Sequence, residues 1–331
     1  MRYRQLGASD LEVPVIIFGA WAVGGWAWGG SDDKQAVDTI RAAIDHGITA
    51  VDTAPVYGFG RSEHVVGRAL KGRREHVVLM TKCGIRWDDA NGTFHYSTED
   101  AEQGRPVDMY RNLKADSIIR ECEDSLRRLD TDRIDLYQCH WPDKSTPAEE
   151  TMSALLKLRE QGKIRHIGVS NFTVDMIIRF RALGEIVSDQ PKYNLLERQI
   201  ETNILPYAAK NKLGVVAYSP LAQGLLTGKV TMDRTFPAGD FRRDKPWFKP
   251  VNRRRVLDAL AAVRSVAETH GITPANLAAA WTVHQPGMTA AIVGARSPEQ
   301  AAENARAGEV SLSGDELDAI NNAFAGLTKP D

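Results

Sequence analysis

Eight short apolar segments, alternating with longer stretches of helical period, constrain this chain more than any other feature. They run Val15–Gly19, Thr49–Asp52, His76–Thr81, Ile134–Cys139, Ile164–Val169, Val187–Pro191, Gly214–Ala217 and Thr289–Val293. Between them, Asp33–His46, Ser62–Leu70, Ser117–Arg128, Pro147–Gln161 and Val174–Leu183 repeat Leu, Ile, Val and Ala at three- and four-residue steps. A helix between consecutive strands returns the chain to the same end, so the strands pair in parallel. Eight such units predict an α/β fold, a (β/α)8 TIM barrel, and 331 residues suit one domain of that kind spanning 1–331.

Four stretches lie outside the repeat. Residues 1–15, with Gly7-Ala8-Ser9-Asp10 as the turn, read as a β-hairpin plugging the barrel bottom. Ser313–Ala325 reads as an extra C-terminal helix. Residues 84–112 and 220–251 mix Gly, Pro, Asp and aromatic residues without period and are expected as long loops. Each follows a strand, which puts both on the face where barrel enzymes do chemistry.

The formal net charge is -1, and the one basic cluster, Arg253 to Arg255, is short. Nucleic acid is therefore not an expected partner. Cys83, Cys122 and Cys139 form no CxxC pair, which suits a reducing compartment. Met1 to Asp10 lacks the pattern of a signal peptide and no apolar run is long enough for a bilayer, so a cytoplasmic protein is expected. GxGxxG and Walker loops are missing, as are HExxH and clustered histidines, so Rossmann, phosphoryl-transfer and metal chemistry have no support.

Strand parity singles out a site, because alternate side chains share a face. Ile48, Ala50 and Asp52 form one such face. Val78, Met80 and Lys82 form a second, and Ile134, Leu136, Gln138 and His140 a third. Each ends in a polar group. An acid, an amine and an imidazole at the ends of three consecutive strands are costly as packing but reasonable as a mutual site. Tyr57, five residues past Asp52, hangs over the same spot. Lys82 beside it is expected to draw the phenol pKa down from ~10 towards neutrality, with Asp52 orienting the lysine. His140 is expected to hydrogen-bond the phenol and a substrate oxygen. A purely structural ion-pair cluster is the competing explanation. A thiol enzyme built on Cys139 and His140 is disfavoured, since neighbours on a strand face opposite ways.

The strings around these residues resemble the aldo-keto reductase superfamily along nearly the whole chain. Asp52-Thr53-Ala54-Pro55-Val56-Tyr57-Gly58, Thr81-Lys82 and His140-Trp141-Pro142 are similar to the family segments for its acid, tyrosine, lysine and histidine. Gly162 to Phe172, Gln190 with Tyr193-Asn194, Tyr218 to Leu221 and Gly294-Ala295-Arg296 continue the match in order. The general-stress-protein branch of bacterial reductases looks nearest. The resemblance implies an NADP-dependent enzyme reducing aldehydes or ketones, with Tyr57 as general acid. It implies that Ser170, Asn171 and Gln190 hold the nicotinamide carboxamide and that Tyr193 stacks on the ring. Ser219, Pro220, Leu221 and Gly224 would line the pyrophosphate, and Gly294, Arg296, Gln300 and Asn304 would meet the adenosine end. Lys229 and Arg242 would fold over NADPH. A small carbonyl compound is the implied partner.

Each of these residues also has a plainer explanation: Tyr193 as a core aromatic, Arg296 as a surface charge. Trp26, Trp28 and Trp141 wall a substrate pocket or simply pack. The alternative function is a cofactor-binding regulatory subunit, since potassium-channel β-subunits share the resemblance and the opening Arg2 to Gly7. The filled catalytic set favours the enzyme. Oligomeric state and physiological substrate are not legible.

Overall fold

The computed structural model describes residues 1–25, 32–100, 105–236, 240, 242–327 and 329–330. Strands β1 (Tyr3–Gln5) and β2 (Glu12–Pro14) form the antiparallel hairpin. The barrel begins with β3 (Ile16–Gly19), α1 (Asp33–Asp45), β4 (Ala50–Asp52), α2 (Arg61–Leu70) and β5 (Val78–Cys83). Three further strands follow, β6 (Ile85–Arg86), β7 (Thr93–Asp100) and β8 (Arg105–Arg111). The repeat resumes with α3 (Ala115–Leu129), β9 (Ile134–Cys139), α4 (Ala148–Glu160), β10 (Ile164–Ser170) and α5 (Val174–Arg181). Next come β11 (Ser188–Gln190), α6 (Ile204–Asn211), β12 (Gly214–Ala217), α7 (Pro250–Ala262) and α8 (Arg264–Thr269). The chain closes with α9 (Pro274–His284), β13 (Ala290–Val293), α10 (Pro298–Arg306) and α11 (Gly314–Phe324).

Eight parallel strands close a barrel in the order β10-β11-β12-β13-β3-β4-β5-β9, as the alternation predicts. The strand expected from His76 starts at Val78 instead, because Arg74–His76 form a 3-10 turn. Two apolar layers follow from strand alternation. The outer one, between strands and helices, holds residues such as Phe18, Val51, Leu79, Tyr137, Val169 and Val215. The inner one holds Ile17, Ala50, Met80, Leu136, Val216 and Ala290, capped by Leu6, Leu11 and Val13 of the hairpin. The hairpin thus stoppers the amino-terminal end. Gly7 sits at φ +60, where any Cβ would overlap the carbonyl oxygen of Val187.

Residues 84–112 are not the expected loop. Strands β6, β7 and β8 form a three-stranded antiparallel sheet in the order β6-β8-β7. Residues 220–251 come nearer to the expectation, with 3-10 turns at Ala222–Thr227 and Pro246–Phe248 before α7 opens at Pro250.

Candidate active site at the carboxyl end of the barrel

Asp52 ends β4, Lys82 is the penultimate residue of β5, and His140 follows β9, so barrel closure brings the three together. Lys82 Nζ donates to Asp52 Oδ1 at 2.5 Å, to the Thr53 carbonyl at 2.9 Å and to the Tyr57 hydroxyl at 3.2 Å. All of its donors are therefore used inside the protein. Asp52 Oδ2 accepts from Gln190 Nε2 at 2.8 Å and from Gln138 Nε2 at 3.2 Å. The buried ion pair is thus hydrogen-bonded on both sides, which is what a charge out of water requires.

The site is braced from behind. Glu63 of α2 is fully buried, accepting from Thr81 Oγ1 at 2.7 Å and from Arg128 Nε at 2.7 Å. Ser62 Oγ donates to the Ala20 carbonyl and lies 2.8 Å from Thr53 Oγ1. Gly58, at φ +64, lets the loop after Tyr57 pack directly on the backbone of Gly24. These contacts fix where the Tyr57 hydroxyl stands.

The electrostatics differ from expectation at Tyr57. Burial raises its pKa, and Asp52 adds to that, while Lys82 pulls the other way without prevailing. A neutral phenol with no water around it resists losing its proton. Lys82 is itself raised: burial alone would lower it, but Asp52 and Tyr57 together outweigh the loss of hydration. His140 is driven well below its ordinary value by burial, then by Lys82 and His95. Its ring meets Tyr57 edge-on at 5.8 Å and 82°, without the expected hydrogen bond between them. The site therefore contains a protonated phenol, a neutral imidazole and a charged lysine.

Around it, Asn171 adopts φ +62 and donates Nδ2 to the His140 carbonyl at 3.1 Å and to Ser170 Oγ at 3.0 Å. Ser170 Oγ donates to the Gln190 carbonyl at 2.7 Å. The Gln190 side chain is turned to Asp52 and Gln138, not outwards. Tyr193 is not at the mouth. Its ring is fully buried in the outer layer, 5.4 Å from Trp281, with its hydroxyl on Glu201. A ring without exposed surface cannot stack on a ligand, which corrects the expectation for Tyr193. Tyr218 stands there instead, on the same face as inward Val216, donating its hydroxyl to Asn171 Oδ1 at 2.9 Å. Alternation from inward Val216 leads to it.

The residues expected to meet a dinucleotide follow strands β12 and β13 at this end. Ser219, Ala222, Gln223 and Gly224 all have positive φ, a strained run that leaves backbone amides unusually oriented. Pro220 is buried and Leu221 half-buried between them. Arg242 pairs with Asp240 at 2.7 Å and stands over the Phe236 ring. Lys229 is exposed two turns further on. Gly294 ends the barrel, its carbonyl accepting from Asn304 Nδ2 at 3.1 Å. Arg296 is exposed, its amide donating to Gln300 Oε1 at 2.9 Å, and Ser297 caps α10 directly after it. Trp141 packs on His95 at 5.3 Å, whereas Trp26 and Trp28 lie outside the described residues. A forked cation at a helix start and an amide side chain beside an aromatic ring are the kinds of group that could hold a dinucleotide.

Buried behind Ser170 is one group that sequence reading passed over. Asp189 points away from the barrel interior, and its carboxyl oxygens meet no side-chain partner. Burial pushes its pKa up to about 8, more than the amides of Phe172 and Gln190 lower it.

Among the described residues, no helix is long and apolar enough to cross a membrane and no cluster of His, Cys, Asp or Glu could hold a metal ion. The Bacillus subtilis aldo-keto reductase YhdN is 42% identical over 303 residues, covering 91% of this chain and 86% of its own length. The Escherichia coli NADH-specific methylglyoxal reductase is 40% identical over 319 residues, covering 95% of each chain. A glycerol dehydrogenase from Gluconobacter oxydans superimposes with a TM-score of 0.88 at 39% identity, covering 99% of this chain and 97% of its own. An aldo/keto reductase from Klebsiella pneumoniae, solved with NADP and acetate, gives 0.70 at 32%, covering 96% and 94%. The profile of the aldo/keto reductase family matches residues 15–324, and with this barrel and this polar cluster the chain belongs to that family of oxidoreductases.

Proposed function

We propose that the protein reduces small aldehydes or ketones to alcohols with NADPH, with Tyr57 as proton donor, and that it falls in the general-stress-protein branch of bacterial reductases. The observation that carries this reading is the contact chain Asp52, Lys82, Tyr57, buried at the barrel mouth. A bound nicotinamide supplies the hydride that goes to the carbonyl carbon. Neutral His140 donates an N–H to the carbonyl oxygen, where negative charge grows, without itself contributing charge. Tyr57 transfers its hydroxyl proton to that oxygen, and Lys82, 3.2 Å away, stabilises the phenolate left behind. The raised resting pKa keeps the proton on Tyr57 until substrate oxygen calls for it. Tyr218, rather than Tyr193, presents its ring to the nicotinamide, beside Asn171 and Ser170. Exposed Arg296, before the capped start of α10, favours a 2'-phosphate.

Methylglyoxal reduction by the Escherichia coli relative makes short aldehydes the first compounds to try. Loss of NADPH absorbance with a panel of such carbonyls tests the reading. Absence of turnover with all of them, by a protein that binds NADPH, would favour a regulatory role of the potassium-channel β-subunit kind.

A further inference from the structure

The sheet of β6, β8 and β7 roofs the catalytic tyrosine, and its inner face carries a charge that packing does not explain. Along β8, Val107, Met109 and Arg111 alternate onto one face. Met109 is fully buried with Ala54 and Val56, and Tyr57, Tyr96 and Trp141 pack on the same cluster. Arg111 therefore leaves the strand on the side of the site. Its Nη1 donates to the Pro142 carbonyl at 3.3 Å, two residues from His140, while its Nε is buried with no partner. No carboxylate lies within ion-pairing distance of it among the described residues. A half-buried cation without a counter-ion is expensive, and one hydrogen bond to a carbonyl is a poor return for it.

A second group faces the same space. Pairing of β7 with β8 slips between Phe94 and Tyr96, so His95 is the extra residue of a bulge. Bulges re-aim side chains, and here the effect is plain. Phe94 points outwards onto Tyr110, while His95 contacts Tyr96 at 4.8 Å and Trp141 at 5.3 Å. Burial and the nearby Arg111 charge both hold His95 below its ordinary pKa, so it offers a neutral ring. Trp141 joins His95 to His140, and His140 meets Tyr57.

We propose that Arg111 and His95 form an anion-recognition site over the catalytic residues, selecting carbonyl substrates that carry a carboxylate or phosphate a few atoms from the reacting carbon. The forked guanidinium offers paired N–H donors to such a group, and the imidazole offers one more. Trp141 walls the stem between anion and carbonyl. The inference rests on the reductase reading and deepens it.

The test compares matched aldehydes with NADPH: succinic semialdehyde against butanal for a carboxylate, and glyceraldehyde 3-phosphate against glyceraldehyde for a phosphate. The wild type is expected to prefer at least one anionic member, and which pair shows the preference tells carboxylate from phosphate. Arg111→Leu is expected to raise KM for that member by about ten- to a hundredfold, the worth of one charge-assisted hydrogen bond. Its effect on the neutral aldehyde should be far smaller. His95→Phe keeps a ring against Trp141 and should show a milder form of the same selective loss. Equal kcat/KM for charged and neutral members, or equal losses in Arg111→Leu, overturns the anion site while leaving carbonyl reduction standing. Should no aldehyde turn over, titration with succinate and with inorganic phosphate still decides. A stabilising thermal shift in wild type that Arg111→Leu lacks supports the site, and identical responses refute it.

Discussion

Lys82 Nζ stands 2.5 Å from Asp52 Oδ1 at the bottom of the site, and the same nitrogen reaches the Tyr57 hydroxyl. One ammonium thus holds an ion pair and, in the proposed mechanism, serves a chemical step, and the two can be separated by mutation. Tyr57→Phe removes the proton donor but leaves the pair, so kcat should fall about a hundredfold to ten-thousandfold with little change in melting temperature or in NADPH affinity. Lys82→Met strands a buried carboxylate and should cost roughly 3 to 5 kcal/mol of stability as well. Melting curves and steady-state rates on both variants check this. A Tyr57→Phe variant keeping half the wild-type turnover sinks the proton-donor role.

On the proposed reading, Arg296 supplies a preference for NADPH over NADH. A charge-assisted hydrogen bond to the 2'-phosphate is worth about 1.5 to 3 kcal/mol, so Arg296→Ala should weaken NADPH by roughly one to two powers of ten and barely alter NADH. Fluorescence titration with both cofactors measures it. Equal losses would assign the arginine to the shared pyrophosphate, and no loss would make it ordinary surface charge.

The stacking role expected of Tyr193 passes, on the proposed reading, to Tyr218, and the change is measurable. Removing the Tyr218 ring as Tyr218→Ala should weaken either cofactor by about two- to tenfold, the usual worth of an aromatic contact. Tyr193→Phe, which loses only the bond to Glu201, should leave cofactor binding alone and cost about 1 kcal/mol of stability. The reverse pattern would return the nicotinamide to Tyr193.

Asp189 makes stability depend on pH. Its folded-state pKa of about 8 lies above the unfolded value of 3.8, so the folded chain holds a proton that the unfolded chain releases. The stabilisation is intact in acid, declines as pH rises between those values, and is lost above about pH 8. Glu121, also buried and pushed up to about 8, acts in the same direction. Asp189→Asn should therefore flatten the fall in melting temperature across this window and raise it by a few degrees at the alkaline end. Parallel curves for variant and wild type would mean that the carboxyl does not titrate as described.

The barrel was legible because its strands are short apolar runs set among helical periods, and Asp52, Lys82 and His140 because alternation from Ala50, Met80 and Leu136 leads to them. The same rule, applied from Val216, leads to Tyr218. The roof sheet escaped notice for a physical reason. Its strands pack one face on Tyr57 and leave the other to solvent, its Thr93–Tyr96 run is interrupted by a bulge, and Gly92 and Asn91 before it resemble loop. The shift at Tyr57 was unreadable because burial, which decides its sign, belongs to no stretch of sequence.

The hairpin stopper has a kinetic corollary. Leu6, Leu11 and Val13 are packed into the amino-terminal end, which leaves the carboxyl end as the door for the proposed reactants. In the proposed reaction a dinucleotide along Asn171 and Tyr218 would be covered by the carbonyl compound over Tyr57 and His140. On the proposed reading a single entrance makes a queue, so initial-rate kinetics are expected to show the dinucleotide binding first and leaving last.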